Sequence, residues 1–316
     1  MKLKIFTFLL IAVAGLSSCR KDVQDIDIKQ YDEQQIQNWI ASNSLTGFVR
    51  DTTGGDTTGM YYKIINPGTG AQLEYSDQIA LVFTLKSFDG KYTSADTIAN
   101  HFYDYLGHLT QDGLPKGLQS AIHNLLKYKG ASMRLLIPSR LAYGKSGYGS
   151  GSITNVNTRI AGNQSLEYYV HVIDKQADYD DLVIRNFITA NSLTGYLKTA
   201  SGVYYKTVTP GTGTIGEIND LSVVTATYTG ALLNGTAFDE ASKTTAYTFT
   251  PVSSDGIAGL IKGVQEGLKE HAAAGTSISL LIPSGLGYGN VAQSTGLIPA
   301  FSPLKFEFQI TTVTSL

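Results

Sequence analysis

The side chains that most often carry out chemistry in proteins are few in this sequence and poorly spaced for it. The single cysteine, Cys19, cannot form a thiolate cluster, and no Gly-x-Ser-x-Gly segment marks a hydrolase nucleophile. The five histidines also lack metal-ligand spacing: His101, His108, His123, His171 and His271. We therefore expect no bound metal and no serine-hydrolase chemistry.

A glycine-rich run at residues 144–151 (GKSGYGSG) could be mistaken for a phosphate-binding loop. That loop requires a glycine five residues before Gly144, and the residue at that position is Ser139. No helical pattern follows the run, so we interpret it as a flap over a cleft. The net charge of −2, without any basic stripe, likewise argues against nucleic acid as a partner.

The elements that must position functional groups occur twice along the chain. Residues 259–289 predict a helix, a half-buried strand and a glycine-rich turn that carries Tyr288, and residues 113–144 repeat this order and end near Tyr143. In the second copy we expect Gly275 to close the helix and Pro283 to end the strand. These patterns rest on apolar residues at helical or alternating spacing: Leu260, Ile261, Val264, Leu268, Ile278, Leu280 and Ile282.

The repeat extends in both directions from this central part. Each copy begins with a short amphipathic helix that we expect to stop near Asn43 or Asn191. The strands that follow alternate in polarity, with inward positions at Ile79, Leu81, Phe83, Leu166, Tyr168, Val170 and Val172 and at Val224, Ala226, Tyr228, Leu304, Phe306, Phe308 and Ile310. This predicts an α+β protein of two tandem domains, residues 31–176 and 177–316, each an antiparallel sheet curved around a short central helix.

The amino terminus has the pattern of an export signal. Lys2 and Lys4 precede an apolar run that ends at Leu16 and is too short to span a bilayer as a helix. Leu16-Ser17-Ser18-Cys19 is similar to the lipobox of bacterial lipoproteins. This resemblance implies removal of residues 1–18, lipidation of Cys19, a tether over residues 19–30 and a membrane-anchored protein of the cell envelope. Arg20 favours the outer membrane, and an ordinary signal peptide with a nearby cysteine is the alternative.

The second copy resembles the FKBP-type peptidyl-prolyl cis–trans isomerases over about residues 200–316. Several motifs occur in the order typical of that family: Tyr228-Thr229-Gly230, Gly235-x-x-Phe238-Asp239, Gly259-x-Ile261-x-Gly263-Val264-x-x-Gly267, Ile282-Pro283-x-x-Leu286-x-Tyr288-Gly289, Leu297-Ile298-Pro299 and Phe306. The resemblance implies two tandem FKBP-like domains that need no cofactor and an enzyme that acts on X–Pro bonds of unfolded or exported polypeptides.

Carried over residue by residue, the resemblance implies an apolar cleft for a proline ring. Its catalytic residues would be Tyr228, Phe238, Asp239, Ile261, Tyr288 and Phe306, and its substrate-binding residues Tyr247, Phe249, Leu260, Val264, Leu297 and Ile298. The backbone N–H of Ile261 and the hydroxyl of Tyr288 would bind substrate carbonyls, and Asp239 would face the prolyl amide. The family usually has tryptophan where Val264 stands, which implies a roomier floor.

The first copy departs from this pattern. Phe83 replaces Tyr228, Thr93-Ser94 stand where Phe238-Asp239 stand, and Pro115 occupies the position of Ile261 without a backbone N–H. We therefore expect a related domain with little or no isomerase activity.

Two interpretations of the whole chain remain open from the sequence: a folding catalyst, or a non-catalytic peptide-binding chaperone of the envelope. A purely structural lipoprotein is a third. Each of the predicted site residues alone also fits an ordinary structural role: Tyr228 and Phe306 suit a core, and Asp239 and Tyr288 suit turns. The functional interpretation therefore depends on the ordered set of motifs. The sequence gives no indication of an oligomeric state.

Overall fold

The computed structural model describes residues 27–241, 247–249, 260–293 and 297–315, and the side chains at 240, 241, 247–249 and 315 lie outside this description. The predicted signal segment and Cys19 also lie outside it. Within the described residues, no helix is both long and apolar enough to cross a bilayer.

Two sets of similar elements follow one another along the chain. We refer to residues 28–173 as the first unit and to residues 176–315 as the second unit. The first unit comprises α1 (Ile28–Ser42), β1 (Val49–Arg50), a helical turn (Thr53–Asp56), β2 (Tyr61–Asn66), β3 (Gln78–Ser87), β4 (Thr93–Ser94), β5 (His101–Tyr105), a 3₁₀ turn (Leu106–His108), α2 (Lys116–Ala121), a π-helical turn (Ile122–Leu126), β6 (Ser132–Ile137), a 3₁₀ turn (Ser139–Leu141) and β7 (Leu166–Ile173). The second comprises α3 (Gln176–Ala190), β8 (Leu197–Lys198), β9 (Tyr204–Thr209), β10 (Ser222–Leu232), β11 (Ala237–Ala241), β12 (Tyr247–Phe249), α4 (Lys262–His271), β13 (Ser277–Ile282), a 3₁₀ turn (Ser284–Leu286) and β14 (Leu304–Ser315).

Both sheets are antiparallel and have the same strand order. The first runs β1-β2-β6-β7-β3-β4 with β5 also paired to β3, and the second runs β8-β9-β13-β14-β10-β11 with β12 also paired to β10. The alternating residues predicted to face inward on β7 and β14 are buried in both units. The α+β class with one antiparallel sheet and one central helix in each unit is therefore confirmed.

Each central helix lies very close to its sheet, and glycine makes this possible. A Cβ added at Gly117 on α2 would meet Ile137 Cγ2 at 2.6 Å, and one added at Gly267 on α4 would meet Leu280 Cδ1 at 2.6 Å. Gly263, which stands in the repeat where Gly117 does, would likewise clash with Ile282 Cγ2. The strand residues Ile137, Leu280 and Ile282 are fully buried, so they cannot move aside easily to admit a side chain on the helix.

Several predicted boundaries differ in detail from the observed ones. The amphipathic helices end at Ser42 and Ala190, next to the predicted asparagines, and Asn43 and Asn191 cap them without taking the left-handed conformation. The following serines do, with φ of 50° at Ser44 and 52° at Ser192. Each asparagine side chain instead donates a hydrogen bond back to the last helical turn. The division of the chain between residues 176 and 177 stays a prediction.

The central helix of the second unit ends earlier than predicted. Its last residue is His271, and Gly275, with φ of 82°, belongs to the turn into β13 and does not close the helix. In the first unit the segment from Lys116 to Ser132 is one residue longer than its counterpart from Lys262 to Ser277. The π-helical turn after α2 accommodates this extra residue.

The close helix–sheet contact gives a prediction for stability. Gly263→Ala should lower the free energy of unfolding by about 1–2 kcal/mol, because overpacking against Ile282 outweighs the better helix propensity of alanine. Chemical denaturation of the full chain measures this change. Gly285→Ala is the matched control, since an added Cβ there meets nothing within 4 Å. Equal unfolding midpoints for the two variants would contradict the prediction.

Candidate functional site

The second unit contains a cluster of aromatic rings at the centre of its sheet. Phe306 on β14 stacks on Phe308 with 5.8 Å between ring centroids, and Phe238 on β11 meets Phe306 edge-on at 5.7 Å. Tyr228 on β10 tilts against Phe308 at 5.3 Å and lies 6.4 Å from Phe306. Phe306 and Phe308 are buried, whereas Tyr228 and Phe238 are only partly buried. The cluster therefore joins the core to an aromatic surface that solvent can reach.

A glycine on the central strand allows these rings to approach. Gly230 pairs with Phe306 on one side and with Asp239 on the other. A Cβ at position 230 would lie 2.8 Å from both Phe238 and Phe306. Glycine is needed here for lack of space, and the family motif Tyr228-Thr229-Gly230 has this physical basis.

Polar groups flank the aromatic cluster at two points. The hydroxyl of Tyr228 donates a 2.8 Å hydrogen bond to Oδ2 of Asp239, which orients a carboxylate that is otherwise exposed. Partial burial raises the pKa of Tyr288, and the nearby charge of Asp239 raises it further. Tyr288 therefore stays protonated at neutral pH and can donate a hydrogen bond.

The start of α4 supplies a backbone donor at the same place. Ile261 caps this helix with φ of −62° and ψ of 149°, and Leu260 and Ile261 pack on the apolar core that contains Phe306. Among the described residues, no acceptor binds the N–H of Ile261. The first turn of a helix leaves such N–H groups without intrahelical partners, so this donor is available to a ligand. Val264, one turn further on, is buried beneath it.

The remaining predicted site residues are placed as follows. Ile298 is buried in the same core as Phe306, whereas the Leu297 side chain is 45% exposed and lies outside that core. Tyr247 and Phe249 lie on β12, which pairs with β10 at Ala226 and Val224. Their side chains are outside the described structure. The fold thus brings together the six residues predicted to be catalytic: Tyr228, Phe238, Asp239, Ile261, Tyr288 and Phe306. Their individual roles stay predictions.

A buried aspartate that the sequence analysis missed positions the turn that leads to Tyr288. Asp180 on α3 is 1% exposed and accepts hydrogen bonds from the N–H (2.7 Å) and hydroxyl (2.6 Å) of Ser284. Asp32 on α1 does the same for the first unit and accepts a bond from the N–H of Ser139. The repeated pairs Tyr31-Asp32 and Tyr179-Asp180, with Ile-Pro-Ser in both copies, were the available signal.

The corresponding place in the first unit lacks most of these groups. Pro115 caps α2 with φ of −66° and ψ of 145°, nearly the same conformation as Ile261, but offers no N–H. Ser94 pairs with Leu85 as Asp239 pairs with Gly230, so the carboxylate is replaced by a hydroxyl. The frame and the tyrosine at the position of Tyr288, Tyr143, are kept, while the helix-cap N–H and the carboxylate are lost.

Comparison with known proteins assigns the second unit to a family. Residues 216–311 match the family of FKBP-type peptidyl-prolyl cis-trans isomerases. The FKBP-type peptidyl-prolyl cis-trans isomerase FkpA of Buchnera aphidicola subsp. Acyrthosiphon pisum (strain APS) is 35% identical over 130 residues, which cover 41% of this chain and 48% of that protein. The peptidyl-prolyl cis-trans isomerase Mip of Coxiella burnetii is 34% identical over 130 residues, which cover 41% of this chain and 53% of Mip. Within the second unit, residues 216–311 are therefore similar in sequence to the FKBP-type peptidyl-prolyl cis–trans isomerases.

Solved structures to which this chain is similar include FkpA from Escherichia coli and the three FKBP domains of wheat FKBP73. FkpA has a TM-score of 0.37 at 26% identity over 45% of this chain and 62% of FkpA. FKBP73 has a TM-score of 0.32 at 17% identity over 85% of this chain and 99% of the wheat chain. The chain spans about half the length of the first curated relatives that it matches.

The buried aspartate gives a prediction for the pH dependence of stability. Burial raises the pKa of Asp180, although hydrogen bonds from Ser284 and Gln176 oppose this shift. The pKa of Asp180 in the fold therefore lies above its unfolded value of about 3.9, and between these two pKa values the folded chain binds more protons than the unfolded chain. The free energy of unfolding falls as pH rises from the unfolded pKa through the folded pKa. Asp180→Asn removes the ionisable group, and with it this pH dependence, and keeps an oxygen that accepts a hydrogen bond from Ser284.

We therefore expect Asp180→Asn to gain stability relative to the wild type as pH rises through the carboxyl range. Urea denaturation at a series of pH values measures the difference. Asp178→Asn, an exposed change on the same helix, should show a nearly constant difference. A constant difference for Asp180→Asn as well would show that the buried carboxyl has no such effect.

Proposed function

We propose that the chain is a peptidyl-prolyl cis–trans isomerase whose working site is the aromatic cleft of the second unit. The observation that carries this proposal is that three polar groups lie around the aromatic cluster: a helix N–H with no acceptor among the described residues, a protonated tyrosine and an oriented carboxylate. The family of residues 216–311 supports it.

The reaction requires no covalent chemistry, which fits the residues of the cleft. Rotating a peptide bond costs about 18–20 kcal/mol because it disrupts amide resonance. X–Pro bonds interconvert over tens to hundreds of seconds because of this barrier, although cis and trans differ by only about 0.5–1 kcal/mol. An enzyme therefore needs only to bind the twisted form better than the planar forms.

The aromatic cleft can provide this preference. The twisted amide has lost resonance, so its carbonyl is less polar than that of the planar amide. Rings of Tyr228, Phe238 and Phe306 present an apolar surface that disfavours the more polar planar form. Each 1.36 kcal/mol of such a difference raises the rate about tenfold.

The polar groups around the cleft hold the peptide. The N–H of Ile261 and the hydroxyl of Tyr288 donate to substrate carbonyls, while Asp239 faces the prolyl amide and is itself held by Tyr228. Leu260, Val264 and Ile298 form the apolar floor and wall, and Tyr247, Phe249 and Leu297 complete the lining. In this account the rings supply the rate difference and the hydrogen bonds fix the position of the bond that turns.

The substrates proposed here are X–Pro-containing segments of unfolded or exported polypeptides. Lipidation of Cys19 after removal of residues 1–18 would hold the protein on the outer membrane in the cell envelope, and residues 19–30 would act as a tether. The first unit, which lacks the N–H and the carboxylate, would not isomerise these bonds.

The role of the Ile261 N–H can be tested with a substitution that the repeat itself suggests. Ile261→Pro keeps the cap conformation, because Pro115 already takes nearly the same φ and ψ in the first unit. It removes one hydrogen bond to the substrate, and we expect kcat/KM for a short X–Pro peptide to fall about tenfold or more. A coupled proteolysis assay or NMR exchange on the full chain measures the rate.

Two controls make this result interpretable. Lys262→Ala, an exposed neighbour on the same helical turn, should keep wild-type activity. Circular dichroism should show that Ile261→Pro is folded. Wild-type turnover by a folded Ile261→Pro variant would exclude the proposed donor, and a wild-type chain without turnover would favour a binding protein over an enzyme.

A further inference from the structure

The first unit contains a cavity of about 470 Å³ at the place that corresponds to the cleft of the second unit. This volume is within the usual range of ligand sites. Its walls are largely aromatic and include Phe83, Phe102, Tyr143 and Tyr148. Tyr148, from the predicted flap, stacks on Tyr143 with 4.5 Å between ring centroids. The loss of polar groups described above has therefore not closed this cleft.

The second unit contributes part of the cavity wall. Phe301, together with Ala300 and Asn290, lines the cavity from across the boundary between the units. The Phe301 ring stacks on His101 at 4.6 Å and meets Tyr103 edge-on at 4.8 Å. The cleft of the first unit is thus completed by an aromatic residue of the second.

The backbone at Phe301 is strained, and the repeat shows that phenylalanine is not required for the local fold. Phe301 has φ of 57°, and so does Asn163, its counterpart in the first unit. The two N–H groups make equivalent bonds, from Phe301 to Gly289 O at 2.7 Å and from Asn163 to Gly144 O at 2.8 Å. Asparagine tolerates this left-handed conformation, whereas it is uncommon for a bulky residue. A strained phenylalanine at this point indicates a use for the ring outside its own turn.

The polar groups in the cavity are suited to holding a chain and not to turning a prolyl bond. Burial lowers the pKa of His101 to about 4, so the ring is neutral at pH 7, and its Nε2 has no partner among the described residues. Asp112 at the rim is exposed and attracts a cation. Pro115 provides no N–H to fix a substrate carbonyl.

We propose that the cleft of the first unit and Phe301 of the second together form a binding site for an unfolded polypeptide segment that carries an aromatic side chain next to a basic one. The aromatic side chain enters between the ring pairs Tyr143–Tyr148 and His101–Phe301, and the basic neighbour lies near Asp112. That the ligand is a polypeptide rests on the proposed function of the second unit. The site holds the chain without isomerising it.

Fluorescence anisotropy with the full chain tests this proposal. The probe is a short fluorescein-labelled peptide without proline that contains one Lys-Phe pair. Phe301→Asn should fold, because Asn163 shows that asparagine suits the same backbone, and should bind roughly tenfold more weakly than the wild type. Tyr148→Ala, which lies wholly in the first unit, should weaken binding similarly. Tyr75→Ala, an exposed ring stacked on His123 outside the cavity, is the matched control and should bind as the wild type does.

The outcomes separate this site from the isomerase. Weakened binding by both cavity variants, with the control unchanged, supports the composite site. No binding by the wild type, or equal binding by the wild type, Phe301→Asn and Tyr148→Ala, overturns it. Turnover of an X–Pro peptide is measured on the same wild-type sample, so a failure of the isomerase proposal is seen independently of peptide binding.

Discussion

The close packing of a short helix on a sheet, permitted by glycine, is the constraint on which both units depend. Gly117 and Gly263 leave no room for a side chain against Ile137 and Ile282, so each helix can lie on its sheet in only one way. This contact fixes the residue that caps the helix at the mouth of the cleft. The cap residue then decides whether a backbone donor faces a ligand. The two units share the backbone conformation of the helix cap, and the single residue at that cap, Pro115 or Ile261, determines whether an N–H is present.

The two units show how a repeated fold can change the polar groups of a site and keep its cavity. Replacement of isoleucine by proline at the helix cap leaves φ and ψ almost unchanged, because the cap already has the φ that proline requires. The substitution therefore removes a hydrogen-bond donor at little structural cost. The aromatic walls remain in the first unit. Leu85 occupies the position of Gly230, the glycine that lets Phe238 and Phe306 approach each other in the second unit. Binding of apolar side chains can persist where catalysis does not.

Much of the fold could be predicted because its signals are local. Alternating apolar residues on β7 and β14 face inward as predicted, and the two amphipathic helices end within one residue of Asn43 and Asn191, near which they were expected to stop. The ordered motifs also brought distant residues such as Tyr228 and Asp239 to one place, where they form a hydrogen bond. Internal repetition strengthened these predictions, since a pattern seen twice is less readily accidental.

The features that could not be predicted depend on contacts between segments far apart in the sequence. The bond from Ser284 to Asp180 joins residues 104 positions apart, and neither residue alone indicates a partner. The one-residue insertion after Lys116 gave no sign that a π-helical turn would absorb it. Phe301 looked like an ordinary loop residue, because its contacts with His101 and Tyr103 lie in the other unit.

We propose that the chain contains one isomerase site and that this site lies in the second unit. The most direct measurement is the rate of X–Pro isomerisation of a short peptide by residues 177–316 and by residues 31–176, each prepared separately and shown to be folded. We predict that residues 177–316 accelerate isomerisation and that residues 31–176 leave the uncatalysed rate unchanged. Comparable turnover by the two fragments would contradict this proposal. Residues 31–176 have Pro115 at the helix cap, so they would then catalyse the reaction without the backbone N–H that the proposed mechanism requires.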